Sequence, residues 1–156
     1  MNKWAPVLGA GVLAAVAFGI YGCSGFSSTS KLPKPIVGAW LVKDPNAPFP
    51  YHMYVFNVDG TMQQAIPDAG DPHGSDSDGK GIWVTDGKRV KGKWVEVIAD
   101  RVTHQFAGRM EISFSITVSD DTYIGTETVR AYDASGNLTA GPTTPALLEG
   151  KRVKFP

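Results

Sequence analysis

Few side chains in this sequence are placed to do chemistry, and Glu127 leads them. The Asp120-Asp121 pair is a tight-turn signal between two runs rich in β-branched and aromatic residues. It sets Ser119 opposite Thr122, and therefore Val118 opposite Tyr123, Ile116 opposite Gly125, Phe114 opposite Glu127, Ile112 opposite Val129 and Met110 opposite Ala131. The alternate face pairs Thr117 with Ile124, Ser115 with Thr126, Ser113 with Thr128 and Glu111 with Arg130. One face is apolar and the other polar, a division that a one-residue slip would scramble. Glu127 is the exception on the apolar face. A carboxylate in that position must be paired, protonated or in contact with a wet cavity, and its pKa rises by desolvation or falls beside a cation. A looser hairpin through Ala107-Gly108 places Arg101 opposite Phe114, so that Arg101 and Glu127 flank one phenyl ring. Glu127, Tyr123, Phe114, Arg101, Met110 and Ile112 are therefore the expected ligand-binding set, with Glu127 the candidate catalytic acid or base.

Other chemistry has little support. His52, His73 and His104 are far apart and lack metal-ligand spacing. Asp76-Ser77-Asp78-Gly79 begins like a calcium loop, but Lys80 follows and no bidentate Glu stands at the twelfth position. There is no G-x-S-x-G, phosphate loop or dinucleotide fingerprint, so neither a metal nor a cofactor is expected. Fifteen basic residues balance fifteen acidic ones, which argues against nucleic-acid binding through a basic surface. The cluster Lys88 to Lys93 (KRVKGK) reads as a charged strand edge. A single cysteine, Cys23, excludes a disulfide framework.

The elements that position these residues come after an address. Residues 1–22 read as an export signal: Lys3 supplies positive charge, Ala5 to Ile20 carries none, and Gly19 and Gly22 crowd the end. Residues 23–35 read as a tether, Ser/Thr/Pro/Lys-rich from Phe26 to Pro35. The domain spans 36–156, and about 120 residues suffice to fold alone.

Past residue 35 no helical periodicity is sustained. Short runs of Val, Ile, Thr, Tyr, Phe and Trp predict strands near 36–43, 51–58, 61–66, 81–85, 89–99, 109–118, 122–132 and 149–155, with 102–106 a possible extension of the fifth. Asp59-Gly60 and Asp86-Gly87 are two-residue hairpin signals. Eight sequential strands can close into an up-and-down antiparallel barrel. Pro67 to Lys80 reads as a long irregular loop, and Asp44 to Pro50, with three prolines, as a stiff one. Two faces stay open. The Asp86-Gly87 hairpin groups Trp83, Val90, Trp94, Glu96 and Ile98, whereas the Ala107-Gly108 hairpin wants Val95, Val97 and Ala99 inside, turning Trp83 and Trp94 outward unless a bulge intervenes. In 51–66, either His52, Tyr54 and Phe56 or Tyr51, Met53 and Val55 face inward.

Two resemblances extend this reading. Ile20-Tyr21-Gly22-Cys23 resembles a bacterial lipoprotein box, which implies a diacylated Cys23 and a membrane-anchored protein of the cell envelope. Ser24 resembles an outer-membrane sorting context, on the periplasmic side of a Gram-negative host. Gly38-Ala39-Trp40 near the start and Gly150-Lys151-Arg152-Val153 on the last strand resemble the lipocalin/calycin pattern, and small bacterial lipocalin-like domains share the F-x-x-D-G-T run that follows. Allene-oxide-cyclase-like barrels are similar. The resemblance implies that Trp40 packs under Arg152 and closes the barrel floor. The functions expected are, in order, binding of a small hydrophobic molecule, a cofactor-free cyclase, isomerase or dehydratase using Glu127, and a structural envelope protein with a filled barrel.

Overall fold

Inward and outward residues alternate along nearly every strand, and that alternation rolls the sheet up. The structure is a computed structural model and describes residues 35–154 and 156. The signal, the tether to residue 34 and Cys23 lie outside the described residues. Ten strands form one antiparallel sheet: β1 (Gly38–Lys43), β2 (Tyr51–Phe56), β3 (Thr61–Ala65), β4 (Gly74–Asp76), β5 (Gly79–Asp86), β6 (Arg89–Asp100), β7 (Phe106–Ser119), β8 (Thr122–Asp133), β9 (Leu138–Ala140) and β10 (Ala146–Arg152). The order β1-β2-β3-β5-β6-β7-β8-β10 closes on itself because β10 pairs with both β8 and β1. The protein is thus a closed eight-stranded up-and-down barrel. The two three-residue strands β4 and β9 are additions, on β6 and β8.

The β7–β8 register is the one that Asp120-Asp121 dictates, from Ser119↔Thr122 through Phe114↔Glu127 to Met110↔Ala131. Asp120 takes a positive φ of 52° to make the turn. Asp86-Gly87 turns the chain one residue later than expected: Asp86 pairs with Arg89, and Gly87 takes the positive φ of 61°. Asp59-Gly60 belongs to a three-residue loop, with Phe56 opposite Met62 and Gly60 in the positive-φ position.

The hairpin through Ala107-Gly108 does not exist. The chain turns at Asp100, whose Oδ1 accepts the backbone N–H groups of Val102 and Thr103, both at 2.8 Å. This Asx cap ends β6, so 102–106 does not extend it. Trp94 consequently lies opposite Ile112, and Gly92, not Arg101, lies opposite Phe114. Trp83 and Trp94 point inward and are buried. The register shift between Ile98 and Ala99 absorbs the mismatch beyond them. In β2 the inward set is His52, Tyr54 and Phe56. The predicted loop 67–80 contains β4 and the first residues of β5.

One end of the barrel is filled. Trp40, Tyr54, Phe56, Met62, Trp83, Phe114, Ile116 and Tyr123 pack there, all buried. Ring contacts run from Trp83 to Phe56 (6.0 Å), Phe56 to Phe114 (5.9 Å) and Trp40 to Tyr123 (5.0 Å). Rings this large fit because glycines face them across the strands. A Cβ on Gly92 would run into the Phe114 ring, and one on Gly150 into Tyr123. Arg152 lies over Trp40, its Cζ 4.3 Å from the ring centroid. Its guanidinium also donates to the carbonyls of Val37 (2.8 Å) and Pro35. A cation–π contact of this kind contributes about 0.5–2 kcal/mol, depending on desolvation.

Candidate functional site

The longest connections, 44–50, 66–73 and 141–145, gather at the other end, the mouth. Asp44 shapes the first by accepting the N–H of Asn46 at 2.9 Å, while its own N–H donates to Pro50 O at 3.0 Å. Thr143 pins the third to β8, its N–H donating to Val129 O and its hydroxyl accepting the Val129 N–H, both at 3.0 Å. Between these loops and the packed rings lies a cavity of about 670 Å³. Its walls are apolar where Ile98, Met110, Ile112, Val129 and Phe49 face it.

The charged groups of the lining are acids. Glu127 is 4% exposed. It accepts a hydrogen bond from the Tyr54 hydroxyl at 3.3 Å on Oε2 and lies beside the Asp44 carboxyl. Burial, then Asp44, push its pKa up to about 8, Tyr54 opposing. At neutral pH Glu127 is therefore mostly protonated. Glu96, also 4% exposed, faces the same cavity. Burial, then the charge of Asp76, raise it to about 7. Tyr54 and Tyr123 are pushed well up, first by burial and then by the Glu127 charge, so both stay neutral.

His52 and Gln64 close one side. Nε2–H of His52 donates to Phe49 O at 3.1 Å, and its Nδ1 accepts from the Gln64 amide at 3.3 Å. Gln64 Oε1 in turn accepts the Gly79 N–H at 2.9 Å. This chain assigns the neutral tautomer to His52, and burial lowers its pKa in agreement. Trp94, whose ring lines the cavity, has a buried indole N–H near the Tyr54 hydroxyl that completes no hydrogen bond. The Tyr123 hydroxyl is likewise buried without a partner.

Of the residues singled out from sequence, Glu127, Met110 and Ile112 line the cavity. Phe114 and Tyr123 lie outside its lining, in the packed half. Arg101 sits at the rim, away from both Phe114 and Glu127. It pairs with Asp68 and donates through Nε to Gly74 O at 2.7 Å, fastening loop 66–73 to the ends of β4 and β6. Asp44, Gln64, Trp94 and Glu96 were not expected in the site, and His52 and Tyr54 stood on one of two candidate inward faces of 51–66. The signal for Glu96 existed in the face shared with Trp83, Trp94 and Ile98. Among the described residues no cluster of three or more His, Cys, Asp or Glu is arranged to hold a metal ion. No protein-family model matches the chain, and no curated protein or solved structure is significantly similar to it.

Proposed function

We propose that this chain is a binding protein that holds a small, largely apolar molecule in the mouth half of its barrel. The observation that carries the reading is the cavity of about 670 Å³, lined largely by apolar side chains with a few carboxyl groups among them. A volume of that size suits a small organic ligand, and barrel mouths are a common place for one. The Trp40–Arg152 stack supports grouping the domain with lipocalin-like barrels. The sequence before the domain supports export and lipid anchoring through Cys23 on the cell envelope.

Native mass spectrometry of the chain purified gently from its own host tests the binding reading. A reproducible added mass of small-molecule size is expected, and a bare polypeptide mass would count against a resident ligand. Membrane partition of wild type against Cys23→Ala tests the anchor: the variant should leave the membrane fraction.

A second reading has one specific observation in its favour. Glu127 has two polar groups, Tyr54 and Asp44, within hydrogen-bond reach beside a cavity. A carboxyl raised to about 8 can give or take a proton near neutral pH, which is what a cofactor-free isomerase or dehydratase requires. Turnover of the recovered molecule, lost in Glu127→Gln, would establish it.

A further inference from the structure

We propose that the molecule taken up is an organic cation, with its ammonium group against Glu96 and the Glu127–Asp44 pair and its apolar part along Ile98, Met110 and Val129. The inference rests on the binding reading above and adds the charge of the ligand.

The cavity lining contains Asp44, Asp68, Asp71, Asp76, Glu96 and Glu127, and no lysine or arginine. Four of these acids already have a partner: Asp44 accepts the Asn46 N–H and Glu127 the Tyr54 hydroxyl. Asp68 pairs with Arg101, and Asp71 accepts the backbone N–H groups of His73 (2.7 Å) and Gly74 (3.2 Å). Asp44, Glu96 and Glu127 form no ion pair among the described residues, and Asp76 feels the charge of Arg101 without forming one. Glu96 is the sharpest case: 4% exposed, on the cavity wall, without a hydrogen bond or ion pair among the described residues. A buried carboxylate is normally paired, and one left unpaired takes up a proton or attracts a cation.

A second, independent observation lies beside it. Trp94 is 3% exposed and its ring belongs to the same lining. An indole face next to unpaired carboxylates is a favourable surface for an ammonium group. His52 cannot supply the missing charge from within, because both ring nitrogens are engaged in the neutral form. An anionic ligand would meet these acids with no cation to receive it, since Arg101 is turned to Asp68.

Binding is then an exchange. The ammonium group arrives, and protons held by Glu127 and Glu96 leave for solvent. The groups facing Glu127 are Asp44 from the β1–β2 loop, Tyr54 from β2, Glu96 from β6 and Tyr123 from β8. Asp76 of β4 faces Glu96. None of these is a cation, although Arg101 acts on Asp76, so at neutral pH an arriving ammonium group favours release of the protons.

The test is calorimetric titration of the full-length chain at pH 7 with octylammonium, 1-octanol and octanoate, repeated in two buffers of different ionisation enthalpy. Octylammonium should bind with one-to-one stoichiometry, at least tenfold tighter than either of the others, with a buffer-dependent heat that reports proton release. Glu96→Gln and, separately, Glu127→Gln should each reduce that preference at least threefold. Octanol or octanoate bound as tightly as octylammonium overturns the cation while the cavity reading stands. A cation preference unmoved in both variants places the ammonium on the outer surface and also overturns it. Binding of none of the three overturns this inference and the binding reading together.

Discussion

Replacing Glu127 by glutamine should make the barrel more stable in mild alkali, a result opposite to that of most changes to a buried charged residue. Glutamine reproduces the protonated glutamic acid: its Oε1 accepts from Tyr54, and its amide lies beside Asp44. In the folded protein Glu127 is raised from the ordinary 4.5 to about 8. Below the lower value both folded and unfolded chains hold the proton, and the variant gains nothing. Between the two values the unfolded chain releases it and the folded chain does not, so wild-type stability falls as pH rises. Above about 8 both forms are ionised and the loss is complete. Each pH unit in that window is worth about 1.4 kcal/mol, which sets a ceiling of about 5 kcal/mol. Water in the mouth and small side-chain movements reduce it, and about 2–4 kcal/mol is expected. Glu96 titrates in both proteins, so the difference between them reports Glu127 together with its coupling to Glu96. The assay is the urea midpoint of wild type and Glu127→Gln from pH 4 to pH 9. The curves should meet near pH 4 and diverge with the variant on top. Parallel curves, or a variant less stable at pH 9, would refute a protonated, desolvated Glu127.

Other consequences follow from the same structure. Gly92→Ala should destabilise the barrel by about 1–3 kcal/mol, because its methyl group meets the Phe114 ring; an unchanged denaturation midpoint would mean that the ring can move aside. Arg152→Ala should cost about 1–3 kcal/mol through loss of the Trp40 stack and the bonds to the Val37 and Pro35 carbonyls, read as a lowered Tm. Arg101→Ala should change global stability by less than about 1 kcal/mol, as exposed ion pairs do. It should nevertheless speed hydrogen exchange at the His73 and Gly74 amides, and unaltered exchange there would remove Arg101 as the fastening of that loop.

The strands were legible because their signals are local. Asp120-Asp121 carries its register within two residues, and the apolar face it implies, Val118 to Met110, agrees with it. The β6–β7 turn was not legible, because two candidates compete. Ala107-Gly108 looks like a hairpin, while the cap that wins depends on one Asp100 side chain reaching two backbone amides. That single choice moved Arg101 from the interior to the rim and turned Glu96, Trp83 and Trp94 inward. Glu127 was visible as an acid on an apolar face. Its companions were not, because Asp44 comes from a loop and Tyr54 from a strand whose two faces are both apolar. Only the curvature of the closed barrel brings them together.

Closure by β10 also has a kinetic meaning. Arg152 reaches Val37 across 115 residues of sequence, and β1 has no second neighbour until the final strand is in place. A nascent chain that stops short of residue 146 has two free strand edges, on β1 and on β8, each able to pair with another molecule. Such long-range pairing is slow to form and exposed to aggregation while it waits. The barrel therefore completes its folding only after synthesis has passed its last strand. A truncation in loop 141–145 should yield an aggregating sheet and not a smaller barrel.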